Sequence, residues 1–229
     1  MARLPRLVIP HQPHLLIQRG HNRQPVFLDD EDHRRFLEAL AAASRDTRVA
    51  IHAYVLMADH IHLLLTPPTA DALGRMMQRL GRQYVPAFNE RHQRSGTLWD
   101  GRFRAAVLEP ERFLLDAQRH LELNPVRHKL VSRPQDWPWS SAAHHIGLRR
   151  DPLITEHPLY WQLGNTPFER EAAYRATHER PLDDARAQEI RNASEKGWAL
   201  GGEAFLRAAG KSTERRLSPM PKGRPRTKT

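Results

Sequence analysis

Residues 49–66 read Val49-Ala-Ile-His-Ala-Tyr-Val-Leu-Met57-Ala-Asp59-His60-Ile61-His62-Leu-Leu-Leu-Thr66, and this stretch decides the fold class. Residues 49–57 and 60–66 are both rich in aliphatic and aromatic side chains, the composition of strands. Ala58 and Asp59 alone separate them, which is hairpin spacing, and Pro67-Pro68 stops the second run. Strand side chains alternate between faces, so His60 and His62 share one face and Ile61 takes the other. Two imidazoles so placed can converge on one cation. In a chain with 14 histidines they also read as side chains on an open sheet face.

Upstream of the hairpin, residues 14–20 (HLLIQRG) form a short strand that ends at a glycine. Asp29-Asp30-Glu31 opens a helix: acids in the first turn suit the helix dipole, and Phe36, Leu37, Leu40 and Ala41 keep helical spacing. Downstream, residues 69–92 carry a stripe of Leu73, Met76, Met77, Leu80 and Phe88, in which Pro86 is expected to kink or divide the helix. Residues 103–109 are a strand, and Pro110 is placed for the first turn of a helix reaching about Asn124, where Pro125 disfavours continuation. The order β-α-β-β-α-β-α predicts an α+β fold with a mostly antiparallel sheet and helices packed on it. Trp137-Pro-Trp-Ser-Ser141 closes this first unit, residues 1–150. Residues 151–210 read as a helical extension, with helices at 166–179 and 183–196 and a turn at 197–202. Residues 211–229 are basic, rich in Pro, Ser and Thr, and have little to bury, so they are expected to be disordered alone.

Composition narrows the function. The 229 residues carry a net charge of +10 and a pI of about 10.7, a balance that favours a polyanionic partner, nucleic acid ahead of a membrane surface. Cysteine is absent, which excludes disulfides and thiolate metal sites. Prolines and histidines interrupt the first twenty residues, so no signal-peptide core forms, and no apolar run approaches the roughly 20 residues of a membrane span. A cytoplasmic location is the expectation; a bacterial, nucleoid-associated one would follow only from a family resemblance.

A second stretch, residues 119–131, reads Arg-His-Leu-Glu-Leu-Asn-Pro-Val-Arg-His-Lys-Leu-Val. On the helix before Pro125, Phe113, Leu114, Ala117 and Leu121 make the buried stripe, and His120 and Asn124 lie one turn apart at its edge. They can face the sheet, or form a polar rim in which Asn124 caps the helix. The segments Gln18-Arg-Gly20, Leu56-Met-Ala-Asp-His-Ile-His-Leu-Leu64, Gly101-Arg-Phe103, Leu123-Asn-Pro-Val-Arg127 and Trp137-Pro-Trp-Ser-Ser141 together resemble the REP-associated tyrosine transposases. These are HUH endonuclease-like members of the IS200-like single-tyrosine superfamily. Gly197-Trp-Ala-Leu-Gly201 resembles the C-terminal extension of the longer members.

The resemblance implies metal-assisted transesterification of single-stranded or hairpin DNA next to repetitive extragenic palindromes. His60, His62 and Asn124 would hold Mg²⁺ or Mn²⁺, and a tyrosine would displace the 3′-hydroxyl to form a 5′-phosphotyrosine link. Imidazole ligands suit Mn²⁺ better than Mg²⁺. It also implies a homodimer as one assembly, since related transposases can share active sites between subunits. The chain departs from the pattern where it matters: His120 stands at the tyrosine position, and His128-Lys129 replaces a small pair. A neutral imidazole is itself nucleophilic near pH 7, so His120 is a candidate catalytic residue. A third nitrogen ligand and a lesion are the other readings of that position. The rival functions are a DNA-binding protein that no longer cuts, and a metal-dependent nuclease that uses water.

Candidate DNA-binding residues are Arg75, Arg79 and Arg82, opposite the apolar stripe of their helix, with Arg102, Arg104 and Arg127. In the tail, Pro221-Lys222-Gly-Arg224-Pro-Arg226 resembles an AT-hook core, whose arginines enter the narrow minor groove of A·T-rich DNA; a nonspecific basic tail is the alternative.

Overall fold

The computed structural model describes residues 6–180 and 182–219. The hairpin forms as its sequence dictates: β2 (Ala50–Met57) and β3 (His60–Thr66) pair antiparallel, with Met57 opposite His60 and Val55 opposite His62. β1 (His14–Arg19) pairs on the other side of β3, and β4 (Arg104–Val107) pairs with β1. The sheet is four-stranded and antiparallel, in the order β2-β3-β1-β4.

The uninterrupted apolar run Leu63-Leu-Leu65 has a simple cause: both faces of the sheet are covered. Ile61, Leu63 and Leu65 face α1 (Asp30–Thr47) and α2 (Ala72–Arg91) in one core, with Phe36, Leu40, Met76 and Tyr84. Leu64, Val55 and Met57 face α3 (Pro110–Glu122) in the other, with Phe113, Leu114 and Leu121. His60 and His62 lie on the α3 side and are 5% and 8% exposed, so this is no open face. α1 opens as expected, with the Asp29 carboxylate accepting from the Asp32 amide at 3.1 Å. Arg91, at the end of α2, ties Asp29 and Asp32 and pulls the Asp29 carboxyl down to about 2. α2 is not divided at Pro86, which sits on the exposed side, where a carbonyl left without its intrahelical partner meets water.

Neither sheet edge is left bare. Residues 137–141 run along β2: the Leu56 amide donates to the Trp139 carbonyl at 2.9 Å, and the Ser141 amide to the Tyr54 carbonyl at 3.0 Å. Beyond β4, the Leu200 amide donates to the Val107 carbonyl at 2.8 Å. The C-terminal helices α6 (Pro158–Trp161), α7 (Pro167–His178), α8 (Asp184–Lys196) and α9 (Glu203–Gly210) pack on this frame. Ile190, Ala193 and Leu200 join the α3-side core. Gly197, at φ 66, ends α8 in a left-handed turn that other residues resist. Leu217 packs with Leu7, Ile9 and Val107, and Arg215 lies over Trp198, so residues 211–219 follow the folded surface. No helix among the described residues is long and apolar enough to cross a membrane.

A buried polar node joins α3 to the short helix α5 (Ala142–His145) and to α7. The Glu122 carboxylate, fully buried, accepts from Ser141 Oγ at 2.6 Å, His145 Nδ1 at 2.7 Å and Tyr174 OH at 2.8 Å. Burial alone would raise its carboxyl, but His145 and His178 overturn this and hold it below the usual carboxylate range.

These buried groups set the acid response. Burial depresses His14 and His52 from 6.5 to about 4, opposed only in part by the Gln12 and Thr155 carbonyls. Between those values the unfolded chain binds protons that the folded chain does not, so stability is complete above pH 6.5 and is lost as pH falls toward 4. Each such histidine contributes a slope on the order of 1.4 kcal/mol per pH unit. Melting followed by circular dichroism from pH 8 to pH 4 is expected to show Tm falling steeply below pH 6.5; a flat profile would contradict these burials.

Candidate active site

The histidines of β3 meet the C-terminal end of α3. α3 crosses their face with His120 in its last turn, and Leu123 (φ −78, ψ 0) interrupts the helix before α4 (Asn124–Arg127) resumes it. Pro125 is therefore in the first turn of a new short helix, where its missing N–H is harmless, rather than beyond a terminus. The break lets His120, Asn124 and Arg127 approach the sheet together.

They line a cavity of about 490 Å³ with His60, His62 and His128. Arg19 enters from β1, directly opposite His60 in the sheet register, and Arg191, Ser194 and Glu195 enter from α8. All of these residues belong to one chain.

Asp59, the second turn residue, accepts a hydrogen bond from His60 Nδ1 at 2.6 Å. That bond fixes the tautomer and turns the Nε2 lone pair inward, where the Asn124 amide nitrogen donates to it at 3.1 Å. The Asn124 oxygen accepts from Arg127 Nη2 at 3.4 Å, and the same guanidinium lies 3.5 Å from His120 Nε2. The His60 and His62 rings stand 5.2 Å apart and nearly perpendicular. The Nδ1 atoms of His62 and His120 are buried without a partner.

Burial pushes His62 well below its ordinary value, reinforced by His60, His120, Arg19 and Arg127. Burial, then Arg127 and Arg191, takes His120 down to about 3. Both imidazoles are neutral at physiological pH, the form that can ligate a cation or attack an electrophile. As a cation site the set is partial. His60 and His62 form a two-imidazole platform with a carboxylate behind one of them, which fits a borderline divalent ion. Among the described residues no group of three His, Asp or Glu is arranged to hold a metal, so further ligands would have to come from Asn124, solvent or a bound phosphate.

Of the expected residues, His60, His62, His120, Asn124 and Arg127 converge. Arg75, Arg79 and Arg82 do not: α2 lies on the other face of the sheet, where Arg75 pairs with Asp71 and Arg79 with Asp46. Arg104 stands beside the cavity and donates to the Glu195 carbonyl, and Arg102 lines the neighbouring furrow. Lys222, Arg224 and Arg226 lie outside the described residues. Sequence reasoning passed over Asp59, Arg19 and the α8 face. Asp59 was legible as an acid adjoining a histidine, and Arg19 from the strand pairing. Residues 191, 194 and 195 share a helix face, but only packing shows that this face meets the cavity.

Comparison with known proteins agrees with this fold. The family described as "Transposase IS200 like" matches residues 10–113, which span β1 to the start of α3 and include both strand histidines. The REP-associated tyrosine transposase of Escherichia coli is 23% identical over 148 residues, covering 64% of this chain and 82% of that protein. A protein of Haemophilus influenzae carrying the same description as putative is 29% identical over 119 residues, 48% of this chain and 64% of that one. The solved structure of a REP-associated tyrosine transposase bound to a REP hairpin superposes with a TM-score of 0.55 at 20% identity, covering 69% of this chain and 92% of that chain. Residues 10–113 thus match the IS200-like transposase family, and the chain is similar to the REP-associated tyrosine transposases.

Proposed function

We propose that this protein binds single-stranded or hairpin DNA and places one phosphodiester in the histidine cavity, a site built for metal-assisted transesterification. The observation that carries this reading is the convergence, from two distant stretches of chain, of His60 and His62 with His120, Asn124 and Arg127. Arg19, Arg127 and Arg191 give the cavity the donors that a phosphate needs. The hairpin in the related solved structure supports DNA as the partner.

His60 and His62 would hold a divalent cation, Mn²⁺ or Mg²⁺, with Asn124 beside them; when bound, the ion polarises a phosphoryl oxygen and orients in-line attack. His120 occupies the nucleophile's place. In covalent chemistry a ring nitrogen would bond to phosphorus as the bond to the 3′-oxygen breaks. The 3′-oxygen takes a proton, the other ring nitrogen releases one, and a 5′-phosphohistidine results. Rejoining would run the same step backwards.

One observation favours a second reading, DNA binding with little cleavage. Arg127 engages His120 Nε2, and Nδ1 is enclosed without a partner, so neither nitrogen is presented freely to a ligand. A phenolic oxygen would reach further from the backbone, and misplacement by about 1 Å can cost on the order of a hundredfold in rate.

Three outcomes follow for measurement. Replacing His60 and His62 together by alanine is expected to abolish Mn²⁺ binding in calorimetry while far-UV circular dichroism is unchanged; equal affinity in wild type and variant would refute the metal assignment. Incubated with labelled hairpin DNA and Mn²⁺ and resolved under denaturing conditions, the wild type is expected to give little or no adduct, and His120→Tyr to raise cleavage. An acid-labile wild-type adduct would instead establish phosphohistidine chemistry, and inertness of both proteins would leave binding alone. Truncation after Pro219 removes Lys222, Arg224 and Arg226 without touching Leu217. It should weaken duplex binding and flatten the slope of log affinity against log salt, because fewer counterions are released; an unchanged slope would exclude the tail as a DNA element.

A further inference from the structure

The histidine cavity holds one imidazole that covalent chemistry does not use. His128 lines it, with its ring centroid 6.1 Å from that of His60, and unlike His120 it is exposed to solvent. It belongs to the pair His128-Lys129, at which the chain departs from the sequence pattern it resembles.

The backbone holds this side chain in place. At the C-terminal end of α4 the Lys129 amide donates to the Val126 carbonyl and the Leu130 amide to the Pro125 carbonyl, each at 2.9 Å. Lys129 takes φ 58, the left-handed conformation that such a closure demands and that glycine would adopt without strain. His128, just before it, caps α4, and its Nδ1 lies 2.9 Å from the Asn124 carbonyl oxygen. A carbonyl can only accept, so Nδ1 carries the proton and the lone pair of the neutral ring is on Nε2. Nε2 accepts no hydrogen bond among the described residues. The ring is thus a tethered proton acceptor, in a cavity that water can enter and where Arg19, Arg127 and Arg191 can seat a phosphate. His120 contrasts at each point: Arg127 lies against its Nε2, and its Nδ1 is enclosed.

We propose that this chain cuts DNA by hydrolysis, with His128 Nε2 as the general base for a water molecule. This rests on the DNA reading of the cavity, but not on covalent chemistry at His120. The water oxygen bonds to phosphorus as the bond to the 3′-oxygen breaks. His128 takes one proton from the water and passes it to solvent, and the 3′-oxygen takes one from solvent. The products are a 5′-phosphate and a 3′-hydroxyl, and no bond to the protein is kept for rejoining.

The test is single-turnover cleavage of labelled hairpin DNA with Mn²⁺ in water enriched in ¹⁸O. Once the cut position is mapped, a phosphorothioate of one configuration is placed there. The wild type is expected to leave a 5′-thiophosphate that carries one ¹⁸O and is inverted at phosphorus, the mark of a single displacement. Retention would reveal a covalent intermediate and overturn the proposal. His128→Asn keeps a donor for the Asn124 carbonyl but cannot take up the proton. It should cut about a hundredfold more slowly or worse, the scale of a lost general base. Its affinity for the hairpin, by fluorescence anisotropy with metal chelated, and for Mn²⁺, by calorimetry, should equal that of wild type. Imidazole in solution should restore cutting to His128→Ala, a rescue that a purely structural loss does not show. Wild-type protein that binds the hairpin but does not cut it with Mn²⁺ overturns hydrolysis and leaves the DNA reading standing, as does folded His128→Asn that cuts at the wild-type rate. Failure of wild type to bind the hairpin overturns both.

Discussion

The two-residue turn at Ala58-Asp59 fixes how β2 meets β3, and the candidate site hangs from that register. Slipping β3 by one residue would exchange His60, His62 and Leu64 for Ile61, Leu63 and Leu65, turning the histidines away from α3 and into the core against α1 and α2. Both faces are apolar, so the leucines themselves penalise such a slip only weakly. The turn is pinned instead by its own neighbours. The Gly20 amide donates to the Asp59 carbonyl and the Val26 amide to the Ala58 carbonyl, each at 2.7 Å. Gly20 is required there, because a Cβ would fall 2.1 Å from the Gln24 carbonyl oxygen. The same turn supplies the Asp59 carboxylate that orients His60. One local structure therefore sets both the position and the tautomer of the first candidate ligand.

The electrostatics of the cavity follow from what it encloses. Uncharged imidazoles tolerate burial, and the surrounding arginines make protonating them more costly still. The cavity is consequently rich in cationic donors and poor in carboxylates, with Glu195 committed to Arg19. Such a place favours an anion over a lone cation, and a metal and a phosphate would each make the other more welcome.

Much of this was legible in the sequence because the signals were local. Strand alternation assigned His60, His62 and Ile61 to their faces, and an acid-rich start marked α1. The stripe Phe113, Leu114, Ala117 and Leu121 placed α3 on the sheet with His120 at its edge. The limits were of two kinds. Periodicity says that a strand has a face, but not whether another element covers it, so the histidines read as open when α3 and α8 enclose them. Charge spacing likewise locates Arg75, Arg79 and Arg82 on the outer side of α2, yet which side of the sheet α2 occupies is a tertiary choice. The break at Leu123 was equally hidden: Pro125 announces an interruption, whereas the resumption of the helix as α4 depends on Asn124 and His128 finding partners there.

The Glu122 node has a consequence for position 120. Glu122 follows two residues later on α3, roughly on the far side of the helix, and its carboxylate is held by Ser141, His145 and Tyr174 at once. Turning α3 about its axis, or sliding it, would strip a buried charge of those partners, a change on the order of several kcal/mol. The helix that presents residue 120 is thus clamped from behind. An exchange between tyrosine and histidine at that position cannot be absorbed by a small adjustment of the helix, and the difference in side-chain length passes undiminished to the place where the phosphodiester would lie.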